Sequence, residues 1–143
     1  MLAHFADLDP FRLYALLKLR CDVFVVEQRC AYPELDGRDA EPATVHFWLD
    51  DEHGTPAAYL RVLADPFGVF RIGRVVTAKA SRGQGLAARL LTDALAHIGP
   101  GHEVVLDAQT DAVRLYERSG FVAEGGPFLE DGIEHIHMRR PAT

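Results

Sequence analysis

The chain has 143 residues, of which 48% are hydrophobic and 25% charged, and its formal net charge is −6. This composition is typical of a globular protein, and we expect a single domain over residues 1–143. An acidic chain without a basic tract is not expected to bind nucleic acid, and no apolar run predicts a membrane span. The N-terminus does not resemble a signal peptide, and Cys21 and Cys30 form no CxxC pair, so we expect a cytoplasmic protein.

The first half of the chain predicts a strand, a long helix and an antiparallel meander. Residues 2–6 predict a short strand, and residues 8–28 predict a helix with Asp9 as its N-cap and Pro10 at its first position. Residues 29–43 are polar and rich in turn formers, which indicates a loop. Three further strands are predicted over residues 44–50, 57–64 and 68–77.

One face of the predicted first helix is expected to pack on the core. Its apolar residues recur at helical spacing: Leu13, Leu16, Leu17 and Phe24. Arg20 and Glu27 fall on or near the same stripe, where a charged group needs a partner or a function. Both are therefore candidates for contact with a substrate.

The second half predicts alternating helices and strands. A helix is predicted over residues 83–97, a buried strand over 102–108, and a short helix over 110–120 that ends at Gly120. The final strands are predicted over residues 121–125 and 133–140, with a loop between them over residues 126–132. This order predicts an α+β fold in three layers, with a mixed, mostly antiparallel sheet between helices.

Two close glycines, Gly83 and Gly85, stand at the start of a predicted helix beside Arg82. Glycine in a helix costs roughly 1 kcal/mol relative to alanine, so this pattern indicates that the backbone must approach a ligand. The first amides of a helix favour an anion, and arginine can donate two hydrogen bonds to a phosphate. The turn is therefore predicted to bind phosphate.

Two common phosphate-binding motifs fit this turn less well. The nucleoside-triphosphate loop is excluded because Leu86 stands where that loop has lysine. The dinucleotide fingerprint matches at Gly83, Gly85 and Ala88, with Asp107 further on, but too few residues follow for a doubly wound sheet. A dinucleotide-dependent oxidoreductase stays open as an alternative, and so does a glycine turn that binds nothing.

Residues 82–87 resemble the [RQ]-x-x-G-x-[GA] signature of the GCN5-related N-acetyltransferases, the GNAT family. Residues 109–121 are similar to the family motif N-x-x-A-x-x-L-Y-x-x-x-G-F, with Gln109 in place of the asparagine. Residues 13–37 and 128–140 resemble the ElaA branch of the family. The resemblance implies the GNAT fold, in which the central strands splay apart at a bulge.

The resemblance also implies an N-acetyltransferase that uses acetyl-CoA as co-substrate. Its acceptor would be a primary amine, in a small molecule or a peptide, that attacks the acetyl group directly in a ternary complex; a homodimer remains open. The implied cofactor-binding residues are Val75, Val76, Thr77, Arg82, Gly83, Gln84, Gly85, Leu86, Ala87, Ala88, Gln109 and Tyr116. A non-catalytic module that binds CoA is the alternative.

Acetyl transfer needs a base for the amine, donors for the oxyanion and an acid for the departing thiolate. The resemblance places Tyr116 as the acid. The alternative is that Tyr116 is a core aromatic, because it lies on the helix face that is expected to pack inward. Glu27 is the candidate base, because burial on the helix face would raise its pKa.

The acceptor site is expected under the acidic loop that contains Glu34, Asp36 and Asp39. The candidate acceptor-binding residues are Arg20, Glu27, Glu34, His46 and His135. His135 and His137 share one face of the last strand, but the spacing supplies no third ligand, so no metal site is predicted.

Overall fold

The computed structural model describes residues 1–143 and contains a seven-stranded mixed sheet with helices on its faces. The strands are β1 (Leu2–His4), β2 (Val45–Asp50), β3 (Pro56–Ala64), β4 (Phe70–Thr77), β5 (Val104–Gln109), β6 (Val122–Glu130) and β7 (Ile133–Arg140). Their spatial order is β1-β2-β3-β4-β5-β7-β6, and the only parallel pair is β4 with β5. This is the predicted α+β architecture.

The helices are α1 (Pro10–Arg20), α2 (Leu86–Ile98) and α3 (Val113–Glu117), and a π-helix over Cys21–Glu27 continues α1. Asp9 caps α1 by accepting the amide of Arg12 at 2.8 Å. In the π-helix the amide of Gln28 bonds the carbonyl of Val23, five residues earlier. The wider turns shift the phase of later residues, so the stripe predicted from an α-helical period is not continuous.

Two apolar clusters hold the helices to the two faces of the sheet. On one face, Leu90 and Leu91 of α2 pack among residues of the central strands such as Phe47, Leu60 and Leu106. On the other face, the first helix contributes Leu16, Leu19, Val23 and Phe24, which pack with Trp48, Tyr59 and Val76. None of the helices has the length and hydropathy of a membrane span.

The predicted loop over residues 126–132 is wrong, because β6 runs through Glu130 and only Asp131 and Gly132 turn the chain. Both turn residues have positive φ, +51° and +78°, as a two-residue hairpin of type I′ requires. β6 is an edge strand with a register shift between Glu124 and Phe128. An edge strand tolerates Pro127 because its outer amides need no partner.

Candidate active site

A cavity opens where the two parallel strands separate. β4 and β5 are paired only at Phe70–Val104 and Arg71–Val105, and beyond these residues the facing edges have no strand partner. β4 also carries one extra residue relative to β3 at Arg74, whose φ is +54°. The expected splay at a bulge is confirmed. The resulting cavity has a volume of about 820 Å³ and is bounded by the first helix, β4, β5, α3 and the β6–β7 hairpin.

The glycine turn lies between β4 and α2. Gly83 and Gly85 have φ of +81° and +72°, and a Cβ at either would meet nothing within 4 Å. The left-handed backbone, rather than crowding by the protein, therefore accounts for glycine here. Helix α2 begins at Leu86, three residues later than predicted. The amides of its first turn, Leu86, Ala87 and Ala88, have no acceptor in the protein, which suits an anion such as pyrophosphate.

Arg82 is held by Glu27, which lies at the end of the π-helix. Its Nη1 and Nη2 donate to the two carboxylate oxygens of Glu27 at 2.7 and 3.0 Å, and its Nε donates to the carbonyl of Thr77 at 3.2 Å. The hydrogen bonds from Arg82 lower the pKa of Glu27. The expectation that burial raises this pKa is wrong, because the phase shift of the π-helix leaves Glu27 exposed at the cavity.

Tyr116 reaches the cavity from α3. Its side chain is buried, and its ring meets Phe121 edge to face at 6.0 Å between centroids. Burial raises the pKa of Tyr116, so its hydroxyl stays protonated at neutral pH. The residue therefore belongs to the core and also lines the cavity. The cavity is lined as well by the end of β4: Val75, Val76 and Thr77.

Two further cavity residues were named from the sequence, and each has a defined partner. Gln109 exchanges hydrogen bonds with Gln28 across the cavity, at 3.2 and 3.5 Å between the amide nitrogens and oxygens. The Nδ1 of His135 lies 2.7 Å from the carbonyl of Ile133, which can only accept, so Nδ1 carries the proton in neutral His135. Its Nε2 is then a free acceptor.

The remaining acceptor candidates lie behind the cavity wall. Arg20, Glu34 and His46 are buried and do not line the cavity, so their expected contact with the acceptor is not found. They belong to an arginine–carboxylate cluster, in which the loop after the first helix turns its carboxylates inward. The charged members of this cluster are Arg20, Glu34, Asp36, Asp39, Arg61 and Arg74.

The cluster is connected by short charge-assisted hydrogen bonds. Arg20 donates from Nε to Glu34 and from Nη1 to Asp39, both at 2.7 Å. Arg61 donates to both oxygens of Asp36 at 2.9 and 2.6 Å and to Asp39 at 3.0 Å. Although burial works to raise it, Arg20 and Arg61 hold the pKa of Asp39 below its usual value. The cluster thus fixes the acidic loop.

Sequence reasoning missed several cavity residues. Arg61, Arg74, Tyr32 and Gln28 line the cavity, and none of them was singled out. One signal was present for Arg61: it is a charged residue within a strand whose other predicted residues are apolar. A charge in such a strand must be paired or functional.

His46 should make folding stability depend on pH. Its Nε2 lies 3.0 Å from the carbonyl of Asp39 and its Nδ1 lies 2.6 Å from the hydroxyl of Tyr59, so the neutral ring is satisfied. Burial lowers the pKa of His46, so the unfolded chain takes up this proton first as the pH falls below about 6.5. The contribution of neutral His46 to the free energy of unfolding is therefore complete above about pH 6.5 and is lost as the pH falls below it.

Urea unfolding of the wild type and His46→Gln between about pH 7 and 5.5 measures this effect. The difference in unfolding free energy between wild type and His46→Gln should shrink on acidification. Its slope should approach about 1.4 kcal/mol per pH unit, the value expected when unfolding takes up one proton. His53→Gln, at an exposed histidine, is the matched control and should leave the pH dependence unchanged. Parallel profiles for wild type and His46→Gln would contradict the assignment.

Comparison with known proteins gives consistent matches. A family model described as an acetyltransferase (GNAT) domain matches residues 22–141. A UPF0039 protein of Mycobacterium tuberculosis is 49% identical over 140 residues, which cover 96% of this chain and 89% of that protein. The crystal structure of Escherichia coli ElaA superposes with a TM-score of 0.91 at 34% identity, covering 99% of this chain and 97% of that one. An acyl-CoA N-acyltransferase from Pseudomonas aeruginosa has a TM-score of 0.89 at 42% identity, covering 99% and 98%.

Proposed function

The chain belongs to the GNAT acetyltransferase family, and on that premise we propose that it acetylates a primary amine by direct attack on acetyl-CoA in a ternary complex. Membership makes it an acyl-CoA-dependent N-acyltransferase. The observation that carries the finer proposal is the splay of β4 from β5 beside a turn with free helix amides. We propose acetyl-CoA as co-substrate without a metal, and a cytoplasmic location in keeping with two free cysteines.

The dinucleotide-dependent oxidoreductase does not fit this fold. Its cofactor site requires a doubly wound parallel sheet, whereas the only parallel pair here is two residues long. A CoA-binding module without activity would share the glycine turn, but it would not use the Tyr116 hydroxyl at the cavity. The acyltransferase therefore remains as the proposal.

Each end of the co-substrate would meet a different part of this chain. Arg82 and the amides that begin α2 would hold the pyrophosphate, because they present a guanidinium and unpaired donors. The edge of β4 that faces away from β3, over residues 75–77, would bind the pantetheine arm and the acetyl carbonyl. The carbonyl of Thr77 points away from β3, since it accepts from Arg82.

Two proton movements would complete the reaction. Tyr116 would protonate the departing thiolate, because it lines the cavity and a tyrosine hydroxyl carries its proton at neutral pH. The amine would lose its proton to a base, for which Glu27 and the free Nε2 of His135 are the candidates on this chain.

Two substitutions test the pyrophosphate turn by calorimetric titration with acetyl-CoA. Arg82→Ala should weaken binding by about tenfold, as expected for the loss of a hydrogen bond from a charged group. Gly85→Glu should abolish detectable binding, because it places a carboxylate at the start of α2. Gly54→Glu is the matched control, since Gly54 also has a positive φ, +77°, and open space around it. Unchanged affinity in both folded variants would contradict the cofactor assignment.

The activity itself is tested by release of free thiol from acetyl-CoA with a panel of amines. The panel contains butylamine, 1,4-diaminobutane, and a peptide with a free N-terminus and one lysine. Turnover with at least one amine, confirmed by mass spectrometry of the acetylated product, is the expected result. Tight binding of acetyl-CoA without thiol release from any amine would favour the module without activity.

A further inference from the structure

The ion pair between Glu27 and Arg82 joins two parts of the site that have different roles. Arg82 lies in the turn assigned to the pyrophosphate, and Glu27 lies at the end of the π-helix; both line the cavity. The two terminal nitrogens of Arg82 are bonded to the two oxygens of Glu27, while Nε is bonded to Thr77. The edge of the guanidinium that binds anions in a bidentate manner is therefore used by a carboxylate of the same chain.

A phosphate would compete with Glu27 for this edge. The backbone of Glu27 belongs to the π-helix, whose Val23 and Phe24 are buried, so only its side chain can follow Arg82. The pair is weak, because the side chains of Glu27 and Arg82 are 38% and 41% exposed. A pyrophosphate carries more charge than a carboxylate and is also offered the free amides of α2. Both features favour the pyrophosphate over Glu27 as the partner of Arg82.

The consequence of exchange falls on Glu27. When Arg82 turns to the phosphate, Glu27 keeps Lys79 as its neighbouring cation and loses the partner that neutralised it directly. A carboxylate at the cavity wall then attracts a cation. The acceptor is a primary amine, which arrives as an ammonium ion, so the released Glu27 is complementary to it.

We propose that Glu27 occupies the phosphate-binding edge of Arg82 until acyl-CoA displaces it, and that the released carboxylate then binds the ammonium group of the acceptor. The inference rests on the proposed function, because it takes the pyrophosphate to bind at Arg82. It assigns Glu27 as a binding residue for a cationic acceptor and makes binding of the amine follow binding of acyl-CoA.

The first test measures the affinity of CoA by calorimetry. Glu27→Gln should bind CoA about two- to fivefold more tightly than wild type, because Arg82 no longer has a competing anion. Pantetheine, which lacks the pyrophosphate, should bind both proteins equally, and in an Arg82→Ala background Glu27→Gln should have no effect. Glu130→Gln is the matched control, since Glu130 also lines the cavity but has no ion pair. CoA affinity in Glu27→Gln no greater than in Glu130→Gln would overturn the exchange.

The second test uses the amine of the panel that gives the highest turnover. Glu27→Gln should raise the KM for that amine by about tenfold, the loss of a charged contact, while its affinity for CoA increases. Tighter binding of CoA together with weaker binding of the amine distinguishes the release of Glu27 from general damage to the binding site. A fall in kcat with unchanged KM would instead assign Glu27 as the base and overturn the acceptor-binding role. If wild type fails to bind CoA, the proposed function fails instead.

Discussion

Replacing Tyr116 by phenylalanine is expected to lower kcat by roughly 10²- to 10⁴-fold, the usual contribution of a general acid. The hydroxyl is the only part of the side chain that the substitution removes. The ring stays packed against Phe121, so stability and affinity for acetyl-CoA should change little. A tyrosine hydroxyl titrates at about pH 10, and burial raises the pKa of Tyr116 further, so the acid is present in its protonated form throughout the neutral range.

Tyr59→Phe is the matched control for this variant. Tyr59 is buried as well, but it lies beside the arginine–carboxylate cluster, where its hydroxyl forms hydrogen bonds with His46 and Arg20. Loss of that hydroxyl should lower the unfolding free energy by about 1–3 kcal/mol and leave kcat close to wild type. Rapid-quench measurement of a single turnover isolates the chemical step. Normal single-turnover rates in Tyr116→Phe would show that water protonates the thiolate and that Tyr116 only fills the core.

The parts of the site that the sequence could predict are local in the chain. Gly83 and Gly85 take a left-handed conformation that few other residues adopt, so their spacing before a helix identifies the turn. Asp9 and Pro10 likewise identify the start of α1 because capping involves only neighbouring residues. The splay of β4 from β5 is not local, and it was expected only from the resemblance to the GNAT family.

The parts that the sequence could not predict depend on a change of helical period or on distant partners. The orientation of Glu27 was wrong because periodicity assumes 3.6 residues per turn, and the π-helix departs from it after Arg20. The inward turn of Glu34 and Asp39 depends on Arg20 in α1 and on Arg61 in β3, which are distant from the loop in the sequence. From composition alone, a polar loop is expected to be exposed to solvent.

Replacing Arg20 by methionine is expected to lower the unfolding free energy by about 3–5 kcal/mol, the cost of removing one partner from a buried ion pair. Arg20 is 1% exposed and donates to Glu34 and Asp39, which would then be buried without their main cation. Arg12→Met is the matched control on the same helix. Arg12 makes a bidentate pair with Asp50, and the two side chains are 25% and 16% exposed, so its loss should cost about 1–2 kcal/mol, less than the loss of Arg20.

The pH dependence of the Arg20→Met defect distinguishes lost charge compensation from lost contact. Arg20 helps to hold the pKa of Asp39 below its usual value against the effect of burial. In the wild type the stabilisation from the Arg20–Asp39 contact is complete where Asp39 is ionised in both the folded and the unfolded state. It is lost as the pH falls below the unfolded-state pKa of about 3.9 toward the lower folded-state pKa. Arg20→Met lacks this contact at every pH, so its defect should shrink as the pH falls from about 5 to about 3 in urea unfolding. A defect that is constant over this range would mean that packing of the Arg20 side chain, rather than its charge, holds the acidic loop beneath the cavity.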